Sequence, residues 1–280
     1  MRIYTDTASD MTKKDAEIRG LSLFDIGVDF PDGVFSFHVE EDKDRFFRRL
    51  EESGMAKTSS PSIGSMIRVF EEGKKAGEEI VYITMSSFLS STYETALQAK
   101  EIVDYEGIYV VDSHMVCKGQ ALMAEWAVKM KEEGKSSQEI VDWVTMRRDD
   151  FRYMGTFMGL DHLVKGGRLP AAVGLAGKML NIKPVVSMDG GVLGLYGKAR
   201  GIRASIKKIL DRYHSEEVDL DFPIYFIYTY PREEGKEFID YAQTLLGDHR
   251  GEIAQMGPVV GTHIGPGCFG LAYVVRRQEE

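Results

Sequence analysis

Cysteine is scarce: Cys117 and Cys268 are the two in a chain of 280 residues, and no CxxC pair exists. A disulfide framework is not expected, and a cytosolic location fits. Long apolar runs are missing as well. No stretch reaches the roughly 18 residues a membrane-spanning helix needs, and the opening MRIYTDTASDM has no signal-peptide apolar core. Positive charge is in the minority, with 35 Lys and Arg against 44 Asp and Glu, for a formal net charge of −9. A polyanion selects basic surfaces, so nucleic acid is not an expected partner. The six histidines are scattered without helix-type metal spacing, which argues against a metal site. P-loop, H-E-x-x-H and G-x-S-x-G motifs are absent too.

What is present is an alternation of strand-like and helix-like segments. Arg2–Asp6, Glu79–Met85 and Gly107–Val111 read as strands. Ser62 caps a helix over Ile63–Lys75, and helices follow at Leu89–Val103, Lys118–Glu133 and Ser137–Asp150. Thr12 with Asp15 forms a capping pair before a short helix that Gly20 ends. Leu21–Phe30 and Val34–Val39 flank PDG as a hairpin. This spacing predicts an α/β fold with an N-terminal, Rossmann-like parallel sheet carrying helices on both faces. After about residue 150 the pattern changes. A strand at Phe151–Met158, a helix at Ala171–Leu180, a helix near Ile202–Tyr213 and strands at Ile224–Tyr228, Glu252–Met256 and Leu271–Val275 predict a second α/β unit with a mixed or antiparallel sheet. Two domains, 1–150 and 151–280, are expected.

Two motifs dissolve on inspection. GPGCFG, Gly265–Gly270, satisfies G-x-G-x-x-G, but it stands ten residues from the end, with no helix after it and no acidic residue in place. It reads as a tight turn, one able to hold its neighbour His263. Ser205–Lys208, SIKK, lies within a basic amphipathic helix and lacks the companion motifs of acyl enzymes.

Hydroxyl side chains are concentrated. Ser86, Ser87, Ser90, Ser91 and Thr92 fall within seven residues of one another. TDTAS, KTSSPS and VDSHM repeat the bias at other strand–helix junctions. Ligands in open α/β sheets sit beyond the strand C-termini, so these four loops predict a shared polar pocket. Hydroxyls, helix N-termini and one histidine, without clustered Lys or Arg, suit a single carboxylate better than a polyphosphate. A carrier of an acid, a Ser/His acyl hydrolase and a small-anion sensor all remain open on these residues.

The ordered set TDTASDM, KTSSPS, SSFLSSTYETA, VVDSHM, KGGRL, NIKP, KARG and GTHIGPG resembles the DegV family of bacterial fatty-acid-binding proteins over nearly the whole chain. The resemblance implies a long-chain fatty acid held between two α/β domains, no cofactor, and no catalytic residue on this chain. It also implies a partner, the catalytic subunit of a fatty acid kinase, which would phosphorylate the presented carboxylate. On this basis Thr58 and Ser90 are the expected carboxylate ligands, with His263, Ser59, Ser91 and Arg168 around them. Ser91 stands where the family pattern usually has Gly. Arg200, Arg203 and Lys207 share one helical face, provided the helix begins early enough, and are the expected docking surface for the kinase.

Overall fold

A computed structural model describes residues 1–169, 181–247 and 249–277. In chain order, β1 (Arg2–Asp6) leads through a 3-10 turn at Thr7–Ser9 to α1 (Lys13–Ile18) and β2 (Leu21–Phe24). The hairpin β3 (Gly27–Phe30) and β4 (Gly33–Val34) precedes α2 (Glu41–Ser53) and β5 (Lys57–Ser59). Then α3 (Ile63–Ala76), β6 (Ile80–Thr84), α4 (Thr92–Val103), β7 (Ile108–Asp112), α5 (Cys117–Glu132) and α6 (Ser137–Arg147) complete the first half. The second half holds β8 (Phe151–Phe157), α7 (Asp161–Lys165), β9 (Ile182–Asp189), β10 (Val192–Arg200), α8 (Ile202–Ser215), β11 (Ile224–Tyr228), α9 (Arg232–Leu245), β12 (Gly251–Gln255), α10 (Pro258–Ile264) and β13 (Cys268–Val274).

The first sheet, in the order β2-β1-β6-β7, is parallel throughout. Every residue of β6 is buried, as expected for a parallel strand covered on both faces. Alternation sorts its side chains: Ile80 and Tyr82 pack with Met66 and Phe70 of α3, while Val81 and Ile83 turn to the opposite cluster with Ala121 and Ala124 of α5. The second sheet runs β10-β9-β8-β13-β11-β12 and is antiparallel except for the β11–β12 pair. One face, with Met154, Phe226 and Leu271, packs on α8 and α9. The other, with Tyr153, Ile227 and Ala272, joins the cluster that contains α5. One apolar core therefore lies between the two sheets. The fold is α/β with a parallel and a mixed sheet, as expected from the alternation of elements.

Local signals hold where the partners are close in sequence. Thr12 and Asp15 form a reciprocal capping box, and the Ser62 hydroxyl accepts the Ser65 N–H. Non-local pairing revises other expectations. Leu21–Phe30 is two strands: β2 pairs with β1, whereas β3 pairs with β5 in a separate three-stranded sheet, order β4-β3-β5. The expected arm Val34–Val39 contributes only Val34 to a strand. α4 begins at Thr92, three residues later than expected. α8 begins at Ile202, because Gly201, at φ +82, separates it from a strand that ends in Arg200. Arg200 is thus a β10 residue and shares no helical face with Arg203 and Lys207. The expected helix at 171–180 lies outside the described residues.

Candidate functional site

A cavity of about 230 Å³ lies between the sheets. Met85 reaches it from the C-terminal end of β6, Val116 and Cys117 from the start of α5, Tyr153 from β8, and Met256, Val259, Val260 and Ile264 from α10 and its approach. Six polar residues line it as well: Thr58, Ser60, Ser90, Ser91, Arg168 and His263. The deeper polar groups are neutral. Burial pushes the Cys117 thiol and the Tyr153 phenol well above their ordinary values, and the Tyr153 hydroxyl contacts Cys268 Sγ at 3.4 Å.

Thr58 is brought to the site by β5, where it sits opposite Val28 of β3. Strand alternation sends Thr58 and Ser60 to one face and Ser59 to the other. Ser59 is exposed and does not line the cavity; its hydroxyl lies over Gly27, where a Cβ would come within 2.3 Å of it. Of the two neighbouring serines it is therefore Ser60, which the motif-based expectation passed over, and not Ser59 that lines the cavity. The period-two spacing from Thr58 was the available signal.

His263 occupies the last turn of α10, not a turn in the GPG segment. Pro258 fits the first helical position, where no N–H is needed. The buried Asp10 carboxylate accepts the Gly257 N–H at 2.7 Å and ties that end of the helix to the first half of the chain. At the other end Gly265, at φ +75, packs so closely on His162 that a Cβ would lie 2.3 Å from its ring. The His263 Nε2 is 2.8 Å from the Thr58 hydroxyl. Burial, reinforced by the nearby Arg168 and then His162, pushes His263 down to about 4. The imidazole is neutral near pH 7, so the positive charge at the site is that of Arg168. Its Nε donates to the Leu89 carbonyl at 3.3 Å and its Nη1 to the Gly166 carbonyl at 2.5 Å.

Ser90 and Ser91 join the cluster through Ser60. The Ser60 hydroxyl lies 3.1 Å from that of Ser91 and 3.4 Å from that of Ser90. Ser90 in turn lies 2.9 Å from the Thr92 hydroxyl and accepts the Thr92 N–H at 3.3 Å. Ser90, rather than Ser91, serves the start of α4; Ser91, the N-cap residue, makes no side-chain cap. At φ −76 it needs none of the freedom glycine would supply.

Two of the four hydroxyl-rich loops do not reach the cavity. Thr5, Asp6, Thr7 and Ser9 are buried and bonded within the fold, and Ser113 bonds to Met115. Burial pushes Asp6 up to about 6, although it accepts the Ala8 and Met85 N–H groups. In the third loop Ser86 donates to the Gly191 carbonyl at 2.7 Å, clamping the second sheet to the first. Of the expected docking residues, Arg203 lies over the Tyr241 ring at 5.2 Å and Lys207 pairs with Asp211 at 2.7 Å.

The model of the DegV family, described as uncharacterised protein, matches residues 1–276. A DegV domain-containing protein of Clostridium perfringens is 31% identical, with 97% of this chain and 96% of that protein covered. Among solved structures, a DegV lipid-binding protein from Thermotoga maritima superposes with a TM-score of 0.83 at 26% identity, covering 99% of each chain. A stearic-acid-binding protein from Eubacterium ventriosum gives a TM-score of 0.80 at 28% identity, covering 98% of each. Sequence and fold agree from end to end, and this chain belongs to the DegV family.

Proposed function

We propose that this protein binds a long-chain fatty acid, its hydrocarbon in the cavity and its carboxylate against Thr58, Ser90 and His263. The observation that carries this is the convergence of hydroxyls, one neutral imidazole and one guanidinium on an otherwise apolar cavity. The hydroxyls and the imidazole donate to the anion, and Arg168 supplies charge at the rim. Relatives described as lipid-binding and stearic-acid-binding support the same ligand class. Burying a sixteen-carbon tail is worth roughly 10 kcal/mol at about 0.8 kcal/mol per methylene. Association costs of about 4 kcal/mol or more reduce this, which leaves micromolar or tighter binding.

The finer proposal is a carrier role in the cytoplasm. A separate kinase subunit takes the presented carboxylate and transfers the γ-phosphoryl group of ATP to it, giving an acyl phosphate and ADP. The basic groups Arg203 and Lys207 on α8, with Arg200 at the end of β10, form the proposed docking surface. A Ser/His hydrolase is less well supported. Among the described residues no hydrogen bond links Ser90 to His263, and no carboxylate contacts the imidazole to orient it. Native mass spectrometry of the purified protein tests the ligand. A retained fatty acid, or stoichiometric uptake of oleate, is expected. A bound small acid with no oleate uptake would overturn the proposal.

A further inference from the structure

A second cavity, of about 170 Å³, lies beside the first beneath the β3–β4 hairpin. Val28 and Phe35 are its buried apolar walls, the largely exposed Val34 stands at its edge, and it opens to the surface where Asp25, Ser36 and His38 are exposed. Two residues, Ile26 and Val259, line both cavities. Both are nearly buried, at 7% and 4% exposure, and both belong to the core between the sheets. Side chains that face two adjoining hollows are the partition between them.

The partition is held firmly. The Ile26 N–H donates to the buried Thr7 hydroxyl at 2.9 Å, which fixes the backbone just before β3. Val259 lies in α10 four residues before His263, on the same helical face and about one 5.4 Å turn away. The Asp10 contact to Gly257 anchors the same helix. The distance from His263 to Val259 is therefore set by a single turn of one helix.

We infer that Ile26 and Val259 are specificity-determining residues that fix how much hydrocarbon the site admits. At their present size they close the cavity on the hairpin side. Smaller side chains there join the two compartments and admit longer chains. The inference rests on the fatty-acid reading of the first cavity. Each further methylene withdrawn from water is worth about fourfold in affinity, so a merged cavity discriminates strongly by chain length.

The measurement is the ratio of eicosanoate to palmitate affinity, by calorimetry on the full chain. For Ile26→Ala with Val259→Ala, the ratio should rise at least about tenfold over the unsubstituted protein, the gain expected for two newly buried methylenes. Ile26→Val removes one methyl, leaves the core nearly filled, and should raise the ratio about twofold to fourfold. This milder variant decides the matter if the double variant fails to fold. If Ile26→Val and every folded variant bind palmitate with the ratio of the unsubstituted protein, the partition has no such role. If the unsubstituted protein binds neither acid, the fatty-acid reading itself fails, and the inference fails with it.

Discussion

Replacing Thr58 by Val keeps the outline of the side chain and deletes its hydroxyl. That hydroxyl lies 2.8 Å from His263 Nε2 in a half-buried site. In the free protein the imidazole loses a neutral partner, a loss of about 1 kcal/mol in stability if no water replaces it. In the complex the loss is larger, because a hydrogen bond to a charged carboxylate contributes about 1.5–3 kcal/mol. With each 1.4 kcal/mol a factor of ten, oleate affinity should fall by about tenfold to a hundredfold. The tail contacts are untouched, so the heat-capacity change of binding, which reports apolar burial, should stay constant. Calorimetric titration at several temperatures measures both quantities. An affinity within about twofold of the unsubstituted protein, in a folded Thr58→Val variant, would remove Thr58 from the head-group site.

Three further outcomes are expected. His263 titrates at about 4 in the fold against about 6.5 in an unfolded chain, so the unfolded state takes up the proton first. The stability of the neutral imidazole is complete above about pH 6.5 and is lost as pH falls toward 4; His263→Gln should flatten that part of a melting-temperature series, and an unaltered slope would place its origin elsewhere. Ser86→Ala strands the Gly191 carbonyl and should cost about 1–3 kcal/mol, seen as a lower urea midpoint at constant m value; an unmoved midpoint would mean the clamp between the sheets is idle. Reversing Arg203 and Lys207 to Glu should slow acyl-phosphate formation with the cognate kinase while oleate affinity is unchanged, and added salt should mimic part of the loss. Normal coupled activity in that variant would leave these residues an ordinary solvated face.

Much of the fold was legible because its signals are local. The Thr12 capping box and the Ser62 cap depend on residues three apart, and the buried run of β6 announces a covered parallel strand. What was misplaced depends on distant partners. The stretch Leu21–Phe30 looks like one strand until β1 takes its first part and β5 its second. Arg200 looks helical until the pairing of β10 with β9 holds it in a strand. The site divides in the same way. Thr58, Ser90 and His263 carry chemistry that can be recognised in a motif, and the structure draws them to one cavity. Ser59 and Ser60 have the same chemistry and differ only in the direction each faces, which β5 decides. α10 was hidden by the Gly and Pro around it, which in isolation signal a turn. The apolar walls are scattered across both halves, and only the packing of sheet on sheet collects them.

The hydroxyl chain from Ser91 through Ser60 and Ser90 to Thr92 has a consequence for release of the proposed ligand. A hydroxyl is donor and acceptor at once, and its proton swings on a single bond. The whole chain can reverse polarity while every oxygen stays in place. In the proposed complex, a proton would turn outward to meet the carboxylate. With the anion gone, the same proton turns back to the neighbouring oxygen. The hydroxyls would then bond to one another, as they do in this structure, so a departing ligand would leave no row of stranded donors to hold it back. A rim built from lysines or backbone amides alone, with donors only, could not close on itself this way.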